Sequence, residues 1–258
     1  MNHSDLTFPR LEGPPPKSER PPSLPGITWG FRDIVLGVFG ALVVFFVLGA
    51  AIIGGAMAAF GEDSLETDLA EAIAIAMLDV VLVLTVLLVI ARKGAGLPAL
   101  GFRAPRQGWG LMLAFIVAAY FAAIGVVNIY GIAIDVLGLD QLEPAQQLPD
   151  DFYDHDVVVV LTGFAIVFMA PVAEEIFFRG FIFGGLRRYL NLPIAGLISG
   201  SLFAIAHGDP GLILPFAGVG LVLAAIYEYT RSLYASIGVH FVFNSMSFLL
   251  LLLFPDLR

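Results

Sequence analysis

"EEIFFRG", residues 174–180, sets two adjacent glutamates and an arginine inside a run otherwise built of Leu, Ile, Val, Phe and Ala. Whether that run crosses a bilayer decides the fold. An ionisable side chain at membrane depth costs at least a few kcal/mol, so one found there points to function by default. Composition answers for the run. Of the 258 residues, 59% are hydrophobic and 14% charged, and the mean hydropathy is +0.91. Soluble domains hold about 45–50% apolar and about 25% charged residues. The apolar excess falls into long runs broken by short polar segments. The chain therefore reads as an all-α, polytopic integral membrane bundle.

A crossing takes about 20 predominantly apolar residues. Seven stretches are candidates: 33–60, 69–91, 108–135, 156–187, 193–207, 211–228 and 232–254. The fifth and sixth are short and also suit a re-entrant pair, so about seven, or eight, helices are expected. Gly37, Gly40, Gly49, Gly54 and Gly55 in the first are expected to serve close helix packing. No internal repeat supports an inverted-repeat transporter. Residues 1–26 are Pro-rich and charged; they read as a disordered cytoplasmic tail without the apolar core of a signal peptide. Residues 27–155 form N-terminal helices without a motif, and 156–254 form the core that carries the motifs.

Basic residues set the orientation. Arg10, Lys17, Arg20, Arg32, Arg92, Lys93, Arg103, Arg106, Arg187, Arg188 and Arg231 all fall on one side of a seven-span arrangement. The opposite connections, "GEDSLETD" (61–68) and "DQLEPAQQLPDDFYDHD" (140–156), are acidic. The positive-inside rule then puts the N-terminus in the cytoplasm and the C-terminus outside. Cysteine is absent, which removes disulfides, thiolate metal sites and a cysteine nucleophile. The net charge of −9 says little about nucleic acid in a membrane chain, but no basic patch interleaved with aromatics suggests such a partner, and none is expected.

Helical rise gives depth. Glu174 lies ~20 Å from the cytoplasmic end of its span, His207 ~21 Å, Asn244 ~20 Å and His240 ~14 Å. Three helices thus bring polar groups to one layer. Glu175 and Arg179, at i and i+4, are expected to pair as a structural brace. Glu174 is turned ~100° away and is the free carboxylate. His240 and Asn244 share a face, as do Phe203 and His207. Pro171 is expected to kink the helix just before Glu174.

Such a set activates water in one of two ways. Glu174 acts as general base while the histidines and Asn244 stabilise the oxyanion, or Glu174, His207 and His240 hold a divalent metal such as zinc that acidifies bound water. Either leads to hydrolysis of a peptide bond within the membrane. The ~7 Å height difference between His207 and His240, and the lack of an HExxH helix, favour the first. Neither a G-x-S nucleophile at the right place nor paired presenilin-type aspartates is present. Asp79 and Asn128, inside the second and third spans, read as structural; His3 and His155 read as solvated.

Three motifs stand in order: Glu174-Glu175-x-x-x-Arg179, Phe203-x-x-x-His207 and His240-x-x-x-Asn244. Here the chain resembles the CAAX-protease and bacteriocin-processing (CPBP, Abi) family of intramembrane proteases, or type II CAAX endopeptidases. The resemblance covers 156–254. It implies a helical intramembrane endopeptidase with Glu174, His207, His240 and Asn244 lining the site, named a metalloprotease in many members. It further implies a membrane-embedded or lipid-anchored peptide as substrate. The size of the chain and the lack of a retention signal point to a bacterial plasma membrane. Two other readings remain: a non-catalytic immunity or scaffold protein, and a proton-coupled transporter.

Overall fold

The structure, a computed structural model, describes residues 26–144 and 155–253. Residues 1–25, with His3, and residues 145–154 of the second acidic connection lie outside the described residues. Among the described residues seven longer helices build the fold: α1 Phe31–Phe60, α2 Leu65–Arg92, α3 Trp109–Leu137, α4 Asp156–Leu186, α5 Leu192–Ala206, α6 Ile213–Thr230 and α7 Leu233–Leu253. Each matches one of the seven expected stretches. All but α5 are long and apolar enough to cross a membrane. The 15 residues of α5 rise only ~22 Å.

Local chemistry sets the ends. The Ser64 side chain accepts from the Thr67 N–H at the start of α2, with Glu66 and Asp68 in the first turn, where acids suit the helix dipole. Gly138 closes α3 in the left-handed conformation that glycine adopts without a steric penalty. The Asn191 side chain caps α5, and a proline stands in its first turn.

Helix α1 packs on α2, and α2 runs along α4. The tightest pair is α5 with α6, while α3 covers α6 and α7. A Cβ on Gly220 would lie 2.5 Å from Gly200 Cα, so α5 and α6 meet backbone to backbone. Trp29, Phe177, Phe181 and Phe183 fill the larger core, and the Trp29 indole N–H donates to Phe181 O at 2.9 Å. Of the five glycines expected to pack α1, only Gly37 does, against Phe181. Nothing lies within 4 Å of a Cβ built on Gly40, Gly49, Gly54 or Gly55. That expectation is corrected for those four, since an added Cβ would meet open space there and their small size is not needed for close contact.

The first residues of α1 and the last of α2, α4 and α6 meet at one end of the bundle. Lys93 pairs with Asp33 at 2.9 Å, and Glu228 takes Arg187 at 2.8 Å and Arg231 at 3.0 Å. Outward side chains such as Phe39, Phe46, Ile129 and Val136 are exposed apolar groups, an inside-out pattern suited to lipid. Asn128 is exposed too and donates to Ile124 O of its own helix at 2.8 Å, so it joins no second helix.

Candidate active site

The site is built on α4, which is not the uniform α-helix assumed when depths were read from the sequence. Ala165–Met169 and Glu175–Phe183 are wide π turns. The Ala170 N–H reaches Ala165 O, and Gly184 N–H reaches Arg179 O, each five residues back. Such turns are rare and gather at functional sites. Pro171 marks the first of them. In the five-residue register Ile166 O would accept from residue 171, which is proline and has no N–H. The Asn244 amide nitrogen of α7 supplies the donor instead, 2.9 Å from Ile166 O. One amide hydrogen of Asn244 is thus committed to the backbone of α4.

Five side chains converge beyond that point. Arg179 Nη1–H donates to Glu175 Oε1 at 2.7 Å, both groups fully buried. The same oxygen lies 3.1 Å from His240 Nδ1. A carboxylate oxygen only accepts, so Nδ1 carries the hydrogen and Nε2 turns to Glu174, whose Oε2 is 3.7 Å away. Glu174 and Glu175 therefore share His240. His240, read from the sequence as one turn lower than Asn244, thus comes within side-chain reach of Glu174.

Phe203 is the hub of the cluster. The Arg179 guanidinium sits 4.5 Å from its ring centroid, at cation–π distance, while His207 and His240 meet it edge-on at 4.8 and 5.6 Å. Arg179 also reaches Gly220 O at 3.4 Å, and the Ser199 hydroxyl donates to Phe178 O at 2.8 Å, tying α5 and α6 to α4. His207 caps the C-terminal end of α5. Its Nδ1 donates to Phe203 O at 2.8 Å, and its ring packs against Phe216 at 4.7 Å, so among the described residues Nε2 has no stated hydrogen-bond partner. His207, His240 and Asn244 line one cavity of about 20 Å³ with Phe203 and Phe216. About one water fits such a space.

Among the described residues no three His, Asp or Glu side chains stand close enough to hold one ion. The spacing of Glu175 and Arg179 was legible in the sequence. The bond from His240 to Glu175, the central place of Phe203 and the capping by Asn244 had no sequence signal, since each depends on a contact between distant helices.

Comparison with known proteins gives the same segment. Residues 156–246 match the family model "Type II CAAX prenyl endopeptidase Rce1-like". The chain is 30% identical over 138 residues to a Bacillus subtilis (strain 168) protein named "Putative membrane peptidase YdiL", covering 53% of this chain and 55% of that protein. It is 26% identical over 151 residues to the "Membrane-embedded CAAX protease MroQ" of Staphylococcus aureus (strain USA300), covering 55% of this chain and 61% of the other. The matched stretch thus spans little more than half the length of these relatives. No solved structure matches the chain. Long apolar helices and bacterial membrane relatives together make it an integral bacterial membrane protein. Over residues 156–246 the chain matches the Rce1-like family of type II CAAX prenyl endopeptidases, and the resemblance carried by its three motifs is borne out there.

Proposed function

We propose that this chain is an intramembrane endopeptidase that hydrolyses a peptide bond of a membrane-embedded or lipid-anchored peptide, with Glu174 as the base. The observation that carries the reading is the buried His240 held between Glu174 and Glu175, with Arg179 neutralising the second glutamate. Those contacts leave Glu174 as the carboxylate without a committed donor, since its Oε2 is buried and unbonded among the described residues.

Hydrolysis then runs through this chain's own groups. Glu174 takes a proton from water as the water oxygen bonds to the scissile carbonyl carbon. The carbonyl oxygen becomes an oxyanion, faced by His207 Nε2 in its protonated form and by the second Asn244 amide hydrogen. Collapse restores the carbonyl and breaks the C–N bond, and the leaving nitrogen takes the proton that Glu174 holds. His240, anchored through Nδ1 to Glu175, sets the wall against which Glu174 rests. MroQ is named a CAAX protease and YdiL a membrane peptidase, which supports the reaction class for this chain.

The catalytic core is residues 156–254, flanked by the helices of 27–155. The basic end of the bundle faces the cytoplasm in this reading, with the N-terminus. The experiment is cleavage of a membrane-anchored peptide reporter by the full chain and by Glu174→Gln. The variant keeps size and hydrogen bonding, so it is expected to stay folded while losing activity 10²–10⁴-fold, the usual contribution of a general base. Near-wild-type cleavage by the variant would favour a non-catalytic scaffold or a proton-coupled transporter.

A further inference from the structure

A buried tryptophan just ahead of α1 has no part in that chemistry. Trp29 is 0% exposed, and its indole N–H donates to Phe181 O at 2.9 Å, across 152 positions of sequence. An indole that only marks a membrane interface keeps its N–H in water. This one is committed to the backbone of α4. Phe181 lies inside the wide stretch Glu175–Phe183, where the Gly184 N–H is shared between Arg179 O and Phe181 O. A second outside donor, the Ser199 hydroxyl, meets Phe178 O of the same stretch at 2.8 Å. Gly185 permits the approach of the indole, since a Cβ there would lie 2.9 Å from its nitrogen. The backbone beside Trp29 is fastened as well: the Arg188 guanidinium donates to Trp29 O, and the Thr28 hydroxyl donates to Lys93 O at 3.3 Å. From the indole a run of rings leads to the site. The pairs Trp29–Phe181, Phe181–Phe177, Phe177–Phe178 and Phe178–Phe203 have centroids 6.1, 5.9, 5.2 and 5.4 Å apart, all at aromatic-pair distance. Phe203 is the ring on which Arg179, His207 and His240 converge.

We infer that Trp29 is a positioning residue for the hydrolysis: its N–H holds the wide stretch of α4 and so fixes where Glu174, Glu175 and Arg179 face. A wide turn contains one residue more than an α turn. Closing it to the α register turns the residues before it by ~100° relative to those after it. The end after it is fixed, because Arg187 is paired with Glu228 at 2.8 Å and Arg188 with the Trp29 backbone. The rotation therefore falls on the glutamates and takes them off His240. Close-packed rings transmit the same constraint to Phe203, since a packed interior does not absorb a shift locally. The inference rests on the proposed role of Glu174 and adds a residue, outside the matched segment 156–246, that aims it.

The chain has two tryptophans, and the other, Trp109 on α3, is 54% exposed. In the full chain carrying Trp109→Phe, expected to cleave normally, Trp29 alone is replaced by analogues supplied to a tryptophan auxotroph. Benzothienylalanine keeps the size of the ring but has sulfur in place of the N–H, whereas fluorotryptophan keeps the donor. On a membrane-anchored peptide reporter, the benzothienyl protein is expected to lose roughly 10–10²-fold in kcat with KM unchanged, the penalty of a misplaced reacting group. The fluorotryptophan protein is expected to keep the rate of the Trp109→Phe background. Equal rates with the two analogues, or a loss confined to KM, overturn the proposal. The second test does not use activity. The indole N–H resonance of Trp29, in isotope-labelled protein in lipid nanodiscs, is expected to move in Glu175→Gln, a change six residues along α4 from Phe181. A resonance indifferent to that substitution overturns the proposal, even where Glu174→Gln is inactive. Wild-type cleavage by Glu174→Gln strikes the proposed base instead, and the indole resonance then decides the role of Trp29 by itself.

Discussion

At the residue scale, the two adjacent glutamates divide the work because only one of them meets the arginine. Glu175 Oε1 accepts from both Arg179 and His240, so this oxygen joins two helices. Breaking a buried ion pair by removing one partner costs ~3–5 kcal/mol, since the other charge is left stranded. Arg179→Leu and Glu175→Gln are therefore each expected to lower the melting temperature in detergent. The double variant should recover part of the loss, because no charge is stranded, but not all of it. His240 Nδ1 keeps only an amide partner, and Phe203 loses the guanidinium on its face. Thermal melts of the three variants check this; equal melting of singles and wild type would remove the brace.

At the element scale, α4 is shaped by a missing hydrogen bond. Pro171 leaves Ile166 O without its helical donor, and Asn244 fills the vacancy from α7. Asn244→Leu is expected to cost about 1–3 kcal/mol, the penalty for stranding a buried acceptor. In a Pro171→Ala background an N–H becomes available to Ile166 O, so the same substitution should cost distinctly less. A double-mutant cycle on unfolding free energies measures that coupling; additivity would show that Asn244 does not cap this turn. The α5–α6 contact is a second element-level device. Gly220→Ala would drive a Cβ into Gly200 Cα at 2.5 Å, and backbone cannot yield as a side chain does. It is expected to lose about 1–3 kcal/mol, as overpacking does. Gly54→Ala, with open space around it, should be neutral.

At the scale of the whole molecule, the gathering of Lys93, Arg187, Arg188 and Arg231 at one end gives the topology reading a physical test. Reporter fusions at 61–64 are expected to read as extracytoplasmic and those at 94–107 as cytoplasmic; the opposite result inverts the bundle. The arrangement of donors bears on metal dependence in the same way. With no three ligands converging among the described residues, peptide cleavage is expected to survive exhaustive chelation. Loss of activity on chelation, with recovery on adding one equivalent of zinc, would instead make the ion the activator of water.

Hydrophobic run length by itself determined the class, the seven helices and their order, because a bilayer imposes a fixed length on every crossing. Spacing within one helix also determined that Glu175 and Arg179 could meet, since i and i+4 stay neighbours even through a widened turn. Depth along a helix does not by itself say which side chains meet: that Glu175 and His240 bond, and that Glu174 lies beside them, depends on which faces of α4 and α7 are turned together. The glycines of α1 show the same limit: sequence marks a residue as small, but only the partner helix decides whether smallness is used. His240 between two glutamates, Phe203 beneath a guanidinium and Asn244 on a carbonyl freed by proline are all contacts between distant helices. Tertiary packing alone brings such groups together, because nothing in a linear pattern records which face of one helix meets which face of another.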